Sequence, residues 1–364
     1  MPRRNSFEKS SEGDFQEYIV SKQTRRRMKI RRVLRAGLAG VLMFAALVVG
    51  YVAMEAMLQV SELPLLQGDN ATTEAPTTTA EPLPTLPEPQ GEPMRSFYVP
   101  IAMLNQRTQS YQLQAQARQL DTNTAVMTFK DSNGWLTYRS NLIQMDLLGA
   151  AARARHRTDW TLFDLKRRAE QRVIAVIHTF DDPLAATLMP GAAIVHRETG
   201  EPWLDAEDRA WLNPWSPAAQ EYLLAVIREV AAFGPQNERV DDILLRGVTF
   251  PAGDLSEAVF PGVDDPDDLA ARNAVLREFL EQAAQAAGDA RLIVMVPRAG
   301  AENADALGGD LWNSAADYIA IDVRGTAANL NEDFWRTRPV FPVVESPEAG
   351  EGMRDYIVLV DDAQ

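Results

Sequence analysis

From about Phe97 onward the chain alternates between short, nearly continuous apolar runs and amphipathic stretches of helical period. The apolar runs are Phe97–Ile101, Ala125–Phe129, Val173–Thr179, Asp242–Val248, Leu292–Val296, Tyr318–Val323, Val340–Val344 and Tyr356–Val360. Runs without polar alternation suit strands covered on both faces, as in a parallel sheet. Between them lie helical segments with start and stop signals. Ser216-Pro217 opens one, with Tyr222, Leu223, Val226, Ile227 and Val230 at helical spacing and Gly234 after its end. Asp265-Pro266 opens another, running through Leu269, Val275, Leu276, Phe279 and Leu280 to Gly288.

Strand and helix units repeated in this way predict an α/β fold, a (β/α)8 TIM-like barrel. A doubly wound open sheet is the alternative. No Gly-rich phosphate loop occurs, which counts against a nucleotide-binding version of either. The segment between Val344 and Tyr356 is too short for a full helix, so the barrel is expected to be incomplete at its C-terminal end.

The N-terminal part follows a different pattern. Ala36 to Met54 reads AGLAGVLMFAALVVGYVAM, without a charge. At ~1.5 Å per residue it would span about 28 Å, close to the thickness of a bilayer's hydrocarbon core. Arg25-Arg26-Arg27-Met28-Lys29-Ile30-Arg31-Arg32 precedes it, and no Lys or Arg follows until Arg95. The positive-inside rule then puts the N-terminus in the cytoplasm and the C-terminal domain outside the cell. A cleaved signal peptide would have a shorter apolar core and a better cleavage site than Ala53-Met54-Glu55-Ala56. Residues 68–94 are rich in Thr, Pro and Glu, cannot form a core, and read as an extended spacer. The expected organisation is a basic tail (1–35), a transmembrane helix (36–59), a stalk (60–95) and a barrel domain (96–364).

Charge and composition narrow the chemistry. The formal net charge is −15. Residues 1–35 carry eleven Lys/Arg against four acids, so the rest of the chain stands at −22. A domain this acidic repels phosphate backbones, and nucleic acid is not an expected partner. There is no cysteine, which excludes disulfides and thiolate chemistry. The three histidines, His156, His178 and His196, have no metal-ligand spacing, and no metal or organic cofactor site is legible. His178 reads as a hydrogen-bonded core or rim residue, and His196 as part of an exposed turn.

A set of short motifs occurs in order: Tyr98-Val99-Pro100, Phe129-Lys130-Asp131-Ser132-Asn133-Gly134, Phe180-Asp181-Asp182-Pro183-Leu184, Ala210-Trp211-Leu212-Asn213-Pro214, Val248-Thr249-Phe250-Pro251 and Asp317-Tyr318-Ile319. Together they resemble the glycoside-hydrolase-like domain family of bacterial exported and membrane-anchored proteins, over roughly residues 96–325. The resemblance implies a TIM barrel and a carbohydrate ligand. It also exposes departures from the family pattern. Thr128 stands where the second strand usually carries Asp, and Arg246 where the fourth strand carries an acid. The acid at the end of the fifth strand falls near Val296-Pro297, and Asn213 replaces an Asp before Pro.

Glycoside hydrolysis needs two carboxylates across the scissile bond, one to donate a proton and one to attack or activate water. Arginine stays protonated at working pH and cannot serve as a base. Among the remaining acids near strand ends (Asp131, Asp181, Asp182, Asp254, Asp322, Glu345 and Asp361), a relocated pair would draw on Asp131, Asp322 and Glu345. Against that stands an ion-pair reading, since Asp322 and Arg324 share one strand face by period two, and Asp322 or a loop acid could neutralise Arg246. Lys130, Asp181, Asp182, Trp203, Trp215 and Arg246 are the candidates for contacting a ligand, the tryptophans because aromatic faces stack on sugar rings. Trp211 reads as packing. The expected partners are the membrane, through residues 36–59, and a polysaccharide or a surface protein. The expectation is therefore a cell-surface domain that acts on or binds a polysaccharide, or a non-catalytic barrel serving as an interaction or structural module.

Overall fold

The computed structural model describes residues 93–105, 109–149, 158–297, 315–325 and 340–360. The expected membrane span and basic tail, and all but the end of the expected stalk, lie outside them. Among the described residues no helix is long and apolar enough to cross a membrane.

All eight apolar runs are strands of one sheet: β1 (Ser96–Val99), β2 (Thr124–Lys130), β3 (Arg172–His178), β5 (Asp242–Arg246), β7 (Arg291–Pro297), β8 (Tyr318–Asp322), β9 (Val340–Val344) and β10 (Ile357–Val358). Their order is β1-β2-β3-β5-β7-β8-β9-β10, and every neighbouring pair is parallel. The continuous hydrophobicity follows from this geometry. Strands of a parallel barrel have one face toward the interior and the other toward the covering layer, and most strand positions here are buried, so apolar residues predominate on both faces.

The barrel is nearly closed, although the connection from β9 to β10 is only a 3-10 turn, Glu348–Gly350, as the short sequence there requires. Closure comes from hydrogen bonds at the seam. The Tyr356 N–H donates to the Met94 carbonyl at 2.8 Å, and Arg95 forms a parallel bridge with Tyr356. The Val358 N–H donates to Ser96 Oγ at 2.6 Å. Met94 is buried, so the end of the expected stalk belongs to the barrel.

The helices are α1 (Gln109–Gln119), α2 (Ile143–Leu147), α3 (Thr158–Arg168), α4 (Pro183–Leu188), α5 (Pro217–Ala232) and α6 (Leu269–Ala287). Ser216 caps α5, its hydroxyl accepting from the Ala219 N–H at 3.3 Å, and the expected apolar stripe from Tyr222 to Val230 is buried. The start of α6 differs from expectation. Asp265 accepts from the Asp267 N–H in a turn before the helix, and Asp268 is the cap, accepting from the Ala270 N–H at 2.9 Å. Both aspartates make the same local bond to a backbone two residues on, so the sequence does not separate turn from cap.

A long excursion leaves the barrel after α4. Its short strand β4 (Val195–His196) pairs antiparallel with β6 (Ala258–Val259) from the loop after β5. His196 lies in this two-stranded patch, at the turn closed by the Gly200 N–H on its carbonyl.

Candidate functional site at the C-terminal rim

Because the strands are parallel, their last residues form one rim, where barrels of this type keep their functional groups. The register sets His178, last in β3, directly beside Arg246, last in β5. The segment after β3 is tied to β5 by two bonds to the Arg246 carbonyl, from the Thr179 N–H at 2.9 Å and from Thr179 Oγ1 at 2.6 Å.

That turn aims two consecutive aspartates in different directions. Asp181 faces the rim, with Oδ2 lying 2.7 Å from Nδ1 of His178. Its other oxygen, Oδ1, is buried and has no hydrogen-bond partner. Burial pushes the Asp181 carboxyl up, but the charge and hydrogen bond of His178 and the charges of Lys130 and Arg246 hold it below its ordinary value. Asp182 points inward and is fully buried with Lys130, whose Nζ lies 2.8 Å from Oδ2. Asp182 Oδ1 caps α4 by accepting from the Ala185 N–H at 2.9 Å, and Tyr222 Oη donates to Oδ2 at 2.9 Å. Lys130 Nζ also donates to the His178 carbonyl at 2.8 Å. Three hydrogen-bonding groups thus hold a buried charge pair under the rim, the arrangement such a pair needs to offset its desolvation.

Two glycines make room for this pair of aspartates. Gly247 has φ +69°, and a Cβ there would lie 2.2 Å from Asp181 Oδ1. Gly134 has φ +85°, and a Cβ there would lie 2.2 Å from Asp182 Oδ1.

The remaining candidates divide by what they touch. Asp131 is folded into its own turn, Oδ1 accepting from the N–H groups of Asn133 at 2.9 Å and Trp135 at 2.8 Å. Burial raises its pKa, only partly offset by those two N–H groups and by the Lys130 and His178 charges. Asp322 is held by Arg324 in a two-pronged pair, Nε to Oδ1 and Nη2 to Oδ2, both at 2.8 Å. The expected ion pair forms, but β8 ends at Asp322 and Arg324 lies in the turn beyond it, so the two meet across that turn and not along a strand face; the acid beside Arg246 is Asp181. Glu345 is exposed just past β9. Thr128, in the place of a family acid, hydrogen-bonds to Tyr98 Oη at 3.0 Å.

The tryptophans also separate. Trp203 is buried, as is Trp211, whose indole N–H donates to Asp205 Oδ2 at 2.7 Å. Trp215 is half-buried in a cluster with Phe250 and Phe260, at ring-centroid distances of 4.6 and 5.3 Å. Lys130 and Asp182, expected to touch a ligand, are sealed from solvent and support the rim from beneath. Tyr222 and the two glycines were not among the sequence candidates. Tyr222 reads there as one more apolar position of a helix stripe, and a glycine's neighbours cannot be read from its own position.

A TIM-like barrel with charged groups gathered at its C-terminal rim defines the fold class, an α/β barrel of (β/α)8 type. Residues 96–301 match the family described as "Putative glycosyl hydrolase domain", and the chain belongs to that family. No curated protein sequence matches it. The chain is similar in structure to a hypothetical protein from Ruminiclostridium thermocellum, at 20% identity over 54% of this chain and 96% of that one, with a TM-score of 0.47. It is also similar to the PgaB (BpsB) glycoside hydrolase domain from Bordetella bronchiseptica, at 15% identity over 74% and 94% of the two chains, with a TM-score of 0.47. A third such structure is the GH20 exo-β-N-acetylglucosaminidase from Vibrio harveyi, at 14% identity over 74% and 45%, with a TM-score of 0.41.

Proposed function

We propose that this is a membrane-anchored cell-surface domain that binds a polysaccharide at the C-terminal rim of its barrel and does not cleave it. Residues 36–59 anchor it, the basic tail stays in the cytoplasm, and the stalk carries the barrel outside. At ~3.1 Å per residue, a stalk of about thirty residues reaches at most about 90 Å, so the ligand belongs to the cell's own surface or wall. The carbohydrate class rests on family membership.

One observation carries the binding reading. The rim groups Asp181, His178 and Arg246 form a charge cluster in which the carboxyl is held below its ordinary pKa. A carboxylate so held does not donate a proton near neutral pH, and an arginine does not accept one. The half-buried Arg246, beside that carboxylate, is suited to hydrogen-bonding sugar hydroxyls, and the half-buried Trp215 adds an aromatic edge.

The test uses the full chain in detergent with isolated cell-wall glycans, measuring both binding and release of reducing ends. Saturable binding without release is the expected result. Release that disappears in Asp131→Asn or Asp322→Asn would overturn the reading, and no binding at all would favour a protein-interaction or structural module instead. Catalysis is favoured by a single observation. The raised pKa of Asp131 is what a proton donor needs, so Asp131 would be the acid if release is found.

A further inference from the structure

The opposite end of the barrel carries a second cluster of charge. Arg172 and Arg291 begin β3 and β7, and Asp242 begins β5, so all three lie at the N-terminal rim, away from His178 and Arg246. An open cleft of about 610 Å³ is found there, lined by Arg172, Arg228, Arg239 and Arg291 together with Asp241 and Asp289.

The acids nearby do not pair with all of these guanidiniums. Asp241 is already engaged by Lys166, whose Nζ lies 2.7 Å from each of its oxygens. Asp242 is fully buried and bound on both sides, by Arg172 Nη2 at 2.9 Å and by Arg291 Nε at 2.6 Å. One buried carboxylate therefore serves two arginines; Asp317, whose charge also acts on Asp242, accepts from the Leu292 N–H at 2.7 Å, and Asp289 also lines the cleft. Arg228, on α5, has no carboxylate partner among the described residues, and Arg239 bonds only to the Gly234 carbonyl, at 3.0 Å. The C-terminal ends of α5 and α6 also reach the cleft. Each brings about half a negative charge, so cations and negative groups here come close to balance, and what sets the cleft apart is guanidinium donors without acceptors. In addition, Arg172 Nε and Arg291 Nη2 are buried nitrogens without an acceptor. Unpaired buried donors carry a desolvation cost that an incoming oxyanion would remove. Four guanidiniums on one cleft, two of them with a buried nitrogen that lacks an acceptor and one with no carboxylate partner among the described residues, suit it to an oxyanion.

We propose that this cleft binds a phosphate group, either free or carried on a polymer. Guanidinium forks match the oxygens of a phosphate in paired hydrogen bonds, and several of them together favour a multiply charged oxyanion over a single carboxylate. The site is separate from the C-terminal rim and independent of the polysaccharide reading.

The test is calorimetric titration of the full chain in detergent and phosphate-free buffer, with inorganic phosphate, glycerol phosphate and glucuronate as probes. Inorganic phosphate or glycerol phosphate should bind saturably, in the millimolar range or tighter, and more weakly as salt is added. The tighter of the two identifies the source, free or polymer-borne. Arg228→Ala breaks no ion pair, so the variant should melt like the parent while its affinity falls about tenfold or more. Arg239→Ala, on a different element, should weaken binding in the same direction. The proposal fails if neither phosphate probe binds saturably, if both variants bind phosphate as the parent does, or if glucuronate binds as tightly as phosphate.

Discussion

The ring of His178 and the carboxylate of Asp181 meet at 2.7 Å, Nδ1 to Oδ2, across the turn that ends β3. The contact makes Asp181 a group that stabilises the fold only while ionised. Burial alone would raise its pKa, but His178, Lys130 and Arg246 together bring it below the ordinary 3.8. A folded pKa below the unfolded one means stability that is complete above about pH 3.8 and is lost as pH falls through the folded value. Asp181→Asn should therefore unfold at lower urea than the parent at neutral pH, and the gap should narrow in acid below the unfolded pKa. Urea titrations across that range measure it, and a gap that stays constant with pH would contradict the assignment.

Gly247 tests whether the backbone over Asp181 must be bare. An alanine there takes on the strain of φ +69° and also puts its Cβ 2.2 Å from Asp181 Oδ1. Gly253 has φ +104°, and a methyl added there would meet nothing within 4 Å, so Gly253→Ala carries backbone strain alone. That strain is about 1–3 kcal/mol. Gly247→Ala should lose clearly more than Gly253→Ala in denaturation and should also lose glycan binding. Equal losses in the two variants would mean that the contact with Asp181 is relieved at no cost.

Lys130 and Asp182 are the buried pair on which the rim rests. Lys130→Met leaves Asp182 ionised in the interior with only Tyr222 on Oδ2, and should cost about 3–5 kcal/mol. In Lys130→Met/Asp182→Asn the buried charge is gone, while an amide oxygen can still accept from the Ala185 N–H. The double variant should thus recover more than half of the loss. A double variant no more stable than the single one would indicate that the lysine's bond to the His178 carbonyl, and not the charge pair, is what matters.

These contacts show where the sequence is readable and where it is not. The eight strands are legible because burial on both faces leaves a continuous apolar signal in each run. The Asp322–Arg324 pair is legible because its members are two residues apart, close enough to meet across the turn that ends β8. Lys130 and Asp182 are not legible as a buried pair. They are 52 positions apart, and only the parallel register of β2 on β3 brings the lysine to the His178 carbonyl and the turn beyond it. Read alone, each is a polar residue at a strand end, which resembles a ligand contact. The same limit applies to the cleft at the N-terminal rim, whose four arginines come from β3, α5, the loop before β5, and β7.

Asp131 gives the sharpest contrast with Asp181, because its pKa moves the other way. Burial raises it above 3.8, and the N–H groups of Trp135 and Asn133 with the charges of Lys130 and His178 offset only part of that. A folded pKa above the unfolded one means that ionisation opposes folding. The penalty begins as pH rises past about 3.8, grows up to the folded value and is constant beyond it. Asp131→Asn keeps an oxygen for the two backbone N–H groups and removes the buried charge. Relative to the parent, it should gain stability as pH rises through that window, with the two close together in acid. Urea titrations at several pH values measure the difference, and a relative stability that falls with rising pH would show that the carboxylate is favoured in its ionised form. That outcome would also remove the one argument for Asp131 as a proton donor, since a donor must hold its proton more tightly than an ordinary aspartate does.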